Sequence, residues 1–536
     1  MDKPAPGFQQ RLGLFDSAML VAGAMIGSGI FIVSADIARD VGSSGWLLAV
    51  WAIAGLMTVL GALAYAELAA MMPQAGGQYI YLREAFGPLP GFLYGWTSFT
   101  VIQTGTIAAV GVAFAKFAGV FIPELSARNS DFSLNADPAV LWGVQFSHPL
   151  IIRLPLPWLK EALVVFKREE FTILYGQVLA VVVILGLTLW NSFGVQQGKW
   201  LQNIFTVAKI GALVLLIVIG LTITRNSHAI ERNFSHLWQG ISRTESSQEL
   251  QKTMPFGTEL LAWMVVGGAL VGALFSADAW HNVAFTAGEI RNPRRNLPLS
   301  LILGTGMVIA LYLLANVAYL VSLPLQGTKD APTVFEQGIS HAGNGNDRVG
   351  TALMSQAFPD HPKFGAWLMA IAIMISTFGC MNGLILMGAR LYYAMARDGL
   401  FFQHVGTLNR HGVPAVGLWT LSIWSCLLVF SGTYNDLLAY VIFAAVLFYG
   451  LTVAGLFVLR FRQPNAERPY RALGYPILPA VYVVLCAAVM LNLLIVKPIF
   501  TWPGLLLVIA GIPVYLLWRA INRPLRPQDS KAHPAA

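Results

Sequence analysis

Three departures from an otherwise apolar pattern carry the chemistry of this chain. The run GAMIGSGIF (23–31) sets Gly23, Gly27 and Gly29 near the middle of the first apolar stretch. Glycine costs roughly 1 kcal/mol in a helix interior relative to alanine. Clustered, it lets the backbone leave helical geometry and expose N–H and C=O groups to a polar ligand. The same glycines also suit close helix packing through small residues. The run FSADAWHN (275–282) puts Asp278 inside a second apolar stretch. A carboxylate at mid-membrane costs at least about 2.5 kcal/mol on insertion scales. It therefore faces a wet cavity, a cation or a partner group, or else makes a structural hydrogen bond to a neighbouring helix. Lys209, in NIFTVAKIGALVLLIVIG (203–220), lies nine residues beyond Trp200. That is about 13 Å at 1.5 Å per residue, deep for partial snorkelling to the interface. A buried ammonium beside a helix break can hold carbonyls that would otherwise bind a sodium ion.

The elements that must position these residues follow from composition. Of 536 residues, 56% are hydrophobic and 11% charged, against roughly 45–50% and about 25% in soluble chains. This excludes a soluble enzyme, a disordered protein and a nucleic-acid binder. The uninterrupted runs exclude a porin, whose strands alternate in polarity. Runs of about 18–25 residues predict twelve spans, near 16–38, 45–71, 89–121, 171–193, 200–224, 259–287, 298–322, 364–394, 414–432, 436–459, 475–496 and 501–519. The first lacks a small-residue cleavage site and reads as a span, not a signal peptide. Cys380, Cys426 and Cys486 all fall inside spans, offering neither a disulfide framework nor a metal site.

With both termini inside, the inner segments carry 18 Lys/Arg against 7 Asp/Glu and the outer ones 14 against 16. Excess positive charge marks the cytoplasmic side, so the net charge of +8 is a topology signal. The expected organisation is a cytoplasmic N-terminus (1–15), a first five-helix repeat (16–224), an outer loop (225–258), a second, inverted repeat (259–459), helices 11 and 12 (460–520) and a cytoplasmic tail (521–536). The outer segments near 122–170, 225–258 and 323–363 are long. The first holds LPWLKEALVVF, too short to span and expected as a surface helix or plug.

The two breaks fall in spans one and six, corresponding positions if spans 1–5 and 6–10 repeat with inverted topology. Matched interruptions of that kind point to the central site of a secondary transporter. Glu67, Arg83, Arg390 and Asp398 cluster at inner helix ends and suit capping or gate ion pairs. His281 suits a hydrogen-bonded packing role or a proton relay. A membrane-embedded enzyme would need convergent ionisable groups. Glu67, Lys116, Lys209, Glu259 and Asp278 are scattered over five spans, with no metal-ligand cluster and no cofactor motif.

These segments together resemble the amino acid–polyamine–organocation superfamily, most closely the L-type amino acid transporters and their bacterial relatives. GAMIGSGIF, YAELAAMMPQAGGQYIYLREAFG (65–87) and AGEIRNPRRNLP (287–298) carry the likeness in order. FGCMNGLILMGARLYYAMARDGLF (378–401), the lysine of IFTVAKI and the inner ERPYR segment extend it. The resemblance implies an all-α integral membrane fold: twelve transmembrane helices, a LeuT-like 5+5 inverted repeat plus two C-terminal helices. It implies sodium-independent secondary transport of neutral L-amino acids by alternating access. In that reading Gly27, Ser28 and Gly29 offer N–H groups to the substrate carboxylate. Carbonyls of Met25, Ile26, Phe275 and Asp278 hold its ammonium, in a pocket that also includes Ser276. Phe275 and Trp280 are gating candidates, and Lys209 stands in for a sodium ion. Asp278 leaves open a cationic amino acid or polyamine as cargo. A transporter-like amino acid sensor is a further alternative, though the termini leave little room for a signalling domain. Animal relatives use an outer-loop cysteine to bridge a partner glycoprotein, and no outer-loop cysteine is present here. No disulfide-linked heavy chain and no nucleic-acid partner is therefore expected, only the amino acid and the lipid bilayer.

Overall fold

Apolar runs longer than the hydrocarbon is thick can satisfy their backbone internally only as helix or as a closed barrel. Here they are helices. The protein, represented by a computed structural model, is described over residues 10–125, 140–154, 163–253, 257–343, 347–431 and 434–521. In chain order the helices are α1 (Leu14–Met25), α2 (Gly29–Val41), α3 (Ser44–Met71), α4 (Gln78–Phe86), α5 (Pro88–Thr97) and α6 (Gln103–Ala118). A hairpin of β1 (Val140–Leu154) and β2 (Leu163–Leu174) follows, then α7 (Tyr175–Ser192) and α8 (Val195–Thr222). Next come α9 (Ser227–Phe234), α10 (Glu245–Thr253), α11 (Thr258–Ser276), α12 (Pro293–Ser322), α13 (Val334–Gln337) and α14 (Val349–Gln356). The chain closes with α15 (Pro362–Arg397), α16 (Ala415–Val429), α17 (Tyr434–Arg462), α18 (Ile477–Val496) and α19 (Pro498–Ile521).

Eleven stretches among the described residues are long and apolar enough to cross a membrane. The ninth expected span, near 414–432, is instead the shorter apolar helix α16, of 15 residues. Burial ranks the spans. The windows of Leu14–Val41, Pro88–Ala118 and Glu259–Glu289 are 94%, 83% and 78% buried, whereas those of Ile477–Val496 and Thr501–Ile521 are 28% and 22% buried. The two broken spans therefore lie, with the span of α5 and α6, in the interior of the bundle, and α18 and α19 lie at its lipid-facing edge.

Two expectations are corrected outside the bundle. LPWLKEALVVF is expected as a surface helix or plug, but its last four residues open β2, which pairs antiparallel with β1 from Val140↔Leu174 to Leu154↔Leu163. Its first seven residues lie outside the described residues. The apolar run carries adjacent valines (Val164, Val165), and β-branched side chains favour the pleated form. The all-α description thus holds with one hairpin added. The segment 225–258, expected as a loop, contains α9 and α10. Asn233 of α9 donates to the Leu320 and Leu323 carbonyls at 2.6 and 2.8 Å and accepts from the Leu325 N–H at 2.8 Å. That side chain braces the C-terminal end of α12.

Candidate functional site

The first break begins where α1 stops at Met25 and Ile26 turns extended (φ −76°, ψ 91°). Helix resumes at Gly29, its Ser28 cap in right-handed geometry. Gly29 is the most tightly hemmed of the three glycines, since backbone as well as side chain crowds it, whereas Gly23 meets movable side-chain ends and Gly27 only the Cys380 Sγ at 3.3 Å. A Cβ at Gly29 would lie 2.1 Å from the Ser276 Oγ and 2.9 Å from its Cα, and one at Gly23 would lie 2.1 Å from the Gln202 side chain. The second break follows Ser276. Ala279 adopts a left-handed φ of 65°, a region costly to non-glycine residues, and a 3-10 segment, Trp280–Glu289, continues the span.

Three side chains tie the breaks together. The Lys209 ammonium donates to the carbonyls of Gly23 (2.7 Å), Ile26 (2.8 Å) and Ser376 (3.1 Å). Its three N–H groups thus meet three carbonyls, and the side chain is fully buried. No snorkelling occurs. Ser376 Oγ lies 3.1 and 3.0 Å from the Ile26 and Gly27 carbonyls. The Tyr312 hydroxyl lies 2.9 Å from the Met25 carbonyl and 3.1 Å from that of Ser276, one on each break. Ile26, expected to offer its carbonyl to an ammonium, therefore already faces two donors from the protein.

Between the breaks lies a cavity of about 10 Å³, roughly the space one water needs. Met25, Gly27, Ser28, Gly29, Phe275, Ser276 and Asp278 line it together with Thr106, Val110 and Cys380. Ile26 and Trp280 are not in its wall. Trp280 instead lines a neighbouring cavity of about 20 Å³, with Tyr449, Tyr482 and Cys486, and Asp278 is common to both. Lys209 stands behind the first break. Among the described residues no His, Cys, Asp and Glu cluster could hold a metal ion.

Asp278 has polar company but no ion pair among the described residues. Tyr449 of α17 donates its hydroxyl to Oδ1, and the Ala279 N–H also bonds the carboxylate. The same Tyr449 oxygen lies 2.9 Å from His281 Nδ1, whose Nε2 is 3.4 Å from the Tyr94 hydroxyl. Sequence reasoning missed Tyr449, because 171 residues separate it from Asp278. It also missed Ser376 and Cys380, which have a local signal. They stand one turn apart on one face of α15, and Cys380 Sγ lies 3.0 Å from the Ala24 carbonyl.

Ion pairs close both ends of the bundle. At the end carrying residue 10, the Arg11 and Leu12 N–H groups donate to the Glu289 carbonyl at 2.9 and 3.0 Å. Arg390 pairs with Glu289 at 3.0 Å, both buried, and Arg83 pairs with Asp398. Tyr79 donates to Asp398 at 2.8 Å; burial, then that carboxylate, raises its hydroxyl pKa. Glu67 accepts from Arg460 Nε and Nη2 at 2.9 and 2.5 Å and from the Ala472 N–H at 2.6 Å, and meets Arg468 at 3.2 Å. At the opposite end Arg39 pairs with Asp36 and, at 2.7 Å, with Asp347, which also meets Lys116 at 3.7 Å. Arg348 donates to the Lys116 carbonyl at 2.7 Å.

The family model described as amino acid permease matches residues 12–515. Among curated proteins, the chain is 29% identical over 514 residues to the human b(0,+)-type amino acid transporter 1, covering 95% of this chain and 88% of that one. It is 27% identical over 521 residues to the mouse Asc-type amino acid transporter 1, covering 96% and 82%. It is 26% identical over 516 residues to the human large neutral amino acids transporter small subunit 2, covering 95% and 80%. The chain belongs to the amino acid permease family, within the amino acid–polyamine–organocation superfamily.

Proposed function

We propose that this amino acid permease is a sodium-independent secondary transporter of neutral L-amino acids, working by alternating access across the cytoplasmic membrane. The observation that carries the reading is the pair of helix breaks facing one cavity, with Lys209 saturating the carbonyls behind the first. An α-carboxylate fits the N-terminal end of α2 at Gly27, Ser28 and Gly29, where the half-helix dipole favours an anion. The ammonium fits the carbonyl side, at Met25 and Phe275, beside Asp278. Ile26 and Gly23 serve Lys209 instead, so a tethered cation occupies the ground a sodium ion would need. Phe275 closes the cavity wall over the cargo. Trp280 acts one layer back, through Asp278 and Tyr449. Binding and rocking need no covalent step, so no catalytic residue and no cofactor is assigned. The cysteines are buried in helices, which argues against a disulfide-linked partner. The excess of Lys and Arg in the inner segments supports cytoplasmic termini.

Initial uptake of labelled leucine or alanine into proteoliposomes tests this. Uptake is expected in choline as in sodium medium, and substitution of Ser28 or Gly29 is expected to lower it at least about fivefold. A requirement for sodium, or unimpaired uptake by those variants, overturns the reading. Asp278 in the cavity wall without an ion-pair partner supports a second reading, cationic cargo. Loss of arginine uptake in Asp278→Asn with neutral uptake spared would favour it.

A further inference from the structure

Asp278 and His281 sit in a line of buried hydroxyls that the amino acid reading does not use. From Asp278 the line runs through Tyr449 to His281, then to Tyr94 on α5. Tyr94 is hydrogen-bonded to Ser98, which opens a π-helical turn, Ser98–Ile102. Such turns inside helices are frequent at functional positions. Ser98 Oγ lies 3.4 Å from the Tyr392 hydroxyl on α15. Tyr392 is five residues from the end of α15 at Arg397, about 8 Å of helix from the end of the bundle carrying residue 10.

Donor counting gives the line a direction. Tyr449 has one proton, and it donates that proton to the carboxylate. Its oxygen can then only accept from His281, so Nδ1 carries the ring proton. Nε2 is left as acceptor for Tyr94, whose oxygen in turn accepts from Ser98. Every donor points toward Asp278. The other groups facing these two residues are the buried Tyr65 ring beside His281 and Tyr482, Cys486 and Cys380 around the carboxylate. None of them is a cation, and Lys209 is held on the far side of the first break.

We propose that Asp278 is a proton-binding site, co-transported with the amino acid, and that Tyr449, His281, Tyr94, Ser98 and Tyr392 connect it to the end of the bundle carrying residue 10. This rests on the amino acid reading and names its driving ion. Asp278 takes a proton from water when the cavity opens at the opposite end. Release, after the cargo has crossed, starts from the protonated carboxyl, with the Tyr449 hydroxyl turned toward Nδ1 and the ring proton on Nε2. The carboxyl proton passes to the Tyr449 oxygen, the Tyr449 proton to Nδ1 and the Nε2 proton to Tyr94, and one proton leaves through Ser98 and Tyr392. The Nδ1–H form described above is the state after release. A turn of the imidazole and the hydroxyls, which carries no proton along the line, resets it as Asp278 is protonated again.

The full chain in proteoliposomes loaded with a pH-sensitive dye provides the test, with labelled alanine as probe. Alanine counterflow at equal pH reports transport alone. A more acidic medium at the opposite end is expected to drive accumulation about tenfold per unit of pH difference for a one-proton cycle, with matching acidification of the other compartment. Tyr94→Phe removes one hydroxyl and is expected to keep counterflow within about twofold while losing gradient-driven accumulation at least about tenfold. His281→Gln is expected to do the same and serves if Tyr94→Phe does not fold. Wild-type counterflow without a proton signal overturns the proposal, as does full gradient-driven accumulation in both variants. Absence of counterflow in the wild type overturns the amino acid reading itself.

Discussion

Gly29 and Ser276 meet where the two half-helices touch, and Gly29→Ala measures how tightly the closed form depends on that contact. An alanine Cβ would sit 2.1 Å from the Ser276 Oγ, 2.7 Å from its Cβ and 2.9 Å from its Cα. Rotating Ser276 can withdraw the hydroxyl, but the Cα belongs to the last turn of α11, so the half-helices must part. Overpacking of this kind costs typically about 1–3 kcal/mol. Opposing it, alanine is up to about 1 kcal/mol better than glycine in a helix, and less at a first turn. The clash wins by about 1–2 kcal/mol, which is about 5–30-fold in a population. Initial uptake of labelled alanine, normalised to folded protein, is expected to fall by that factor. The double variant Gly29→Ala/Ser276→Gly removes the two nearest-side-chain contacts and is expected to recover several-fold over the single one. Gly306→Ala, where no atom lies within 4 Å of the added Cβ, is the control. Wild-type uptake by Gly29→Ala, or a double variant no better than the single, refutes the reasoning.

Other outcomes follow from the same contacts. Lys209→Ala leaves three carbonyls without their shared donor, each hydrogen bond to a charged group being worth about 1.5–3 kcal/mol. Uptake is expected to fall at least about 100-fold, with surface expression retained. Glu67→Gln leaves Arg460 and Arg468 without their buried anion, a loss of about 3–5 kcal/mol, to be seen as a lower melting temperature in detergent. Asp347→Asn strands Lys116 and removes one of the two carboxylates paired with Arg39, and the double variant Asp347→Asn/Lys116→Met is expected to recover only part of the melting temperature that the single one loses.

What was legible in advance was what broke a pattern. Glycines in GAMIGSGIF and the lone Asp278 stand out against an apolar background, and both mark real departures from helix. Lys209 was legible for the same reason, as a charge too deep to reach water. Tyr312, Ser376 and Tyr449 were not, because a hydroxyl in an apolar helix is unremarkable until folding brings it against a carbonyl or a carboxylate. The β1–β2 hairpin was missed because a short apolar run fits a strand or a helix segment equally. Only its β-branched valines argued for strand. That the Ile26 carbonyl would face both Lys209 and Ser376 was not legible, because Ser376 stands 350 residues away.

Lys209 also has an electrical consequence. Its ammonium is bonded to the chain and held by three carbonyls, so its charge stays with the protein at the end of each cycle. The membrane voltage then does work only on charges that come and go. A zwitterion crossing alone would be electrically silent. With one proton on Asp278, each turnover carries one positive charge, and the field contributes about 2.3 kcal/mol per 100 mV. That corresponds to a ceiling of about 50-fold in concentration ratio from voltage alone. A cationic cargo whose side chain replaced the proton at Asp278 would carry the same charge. Currents of one sign and similar size for both classes of amino acid are the signature of such a carrier.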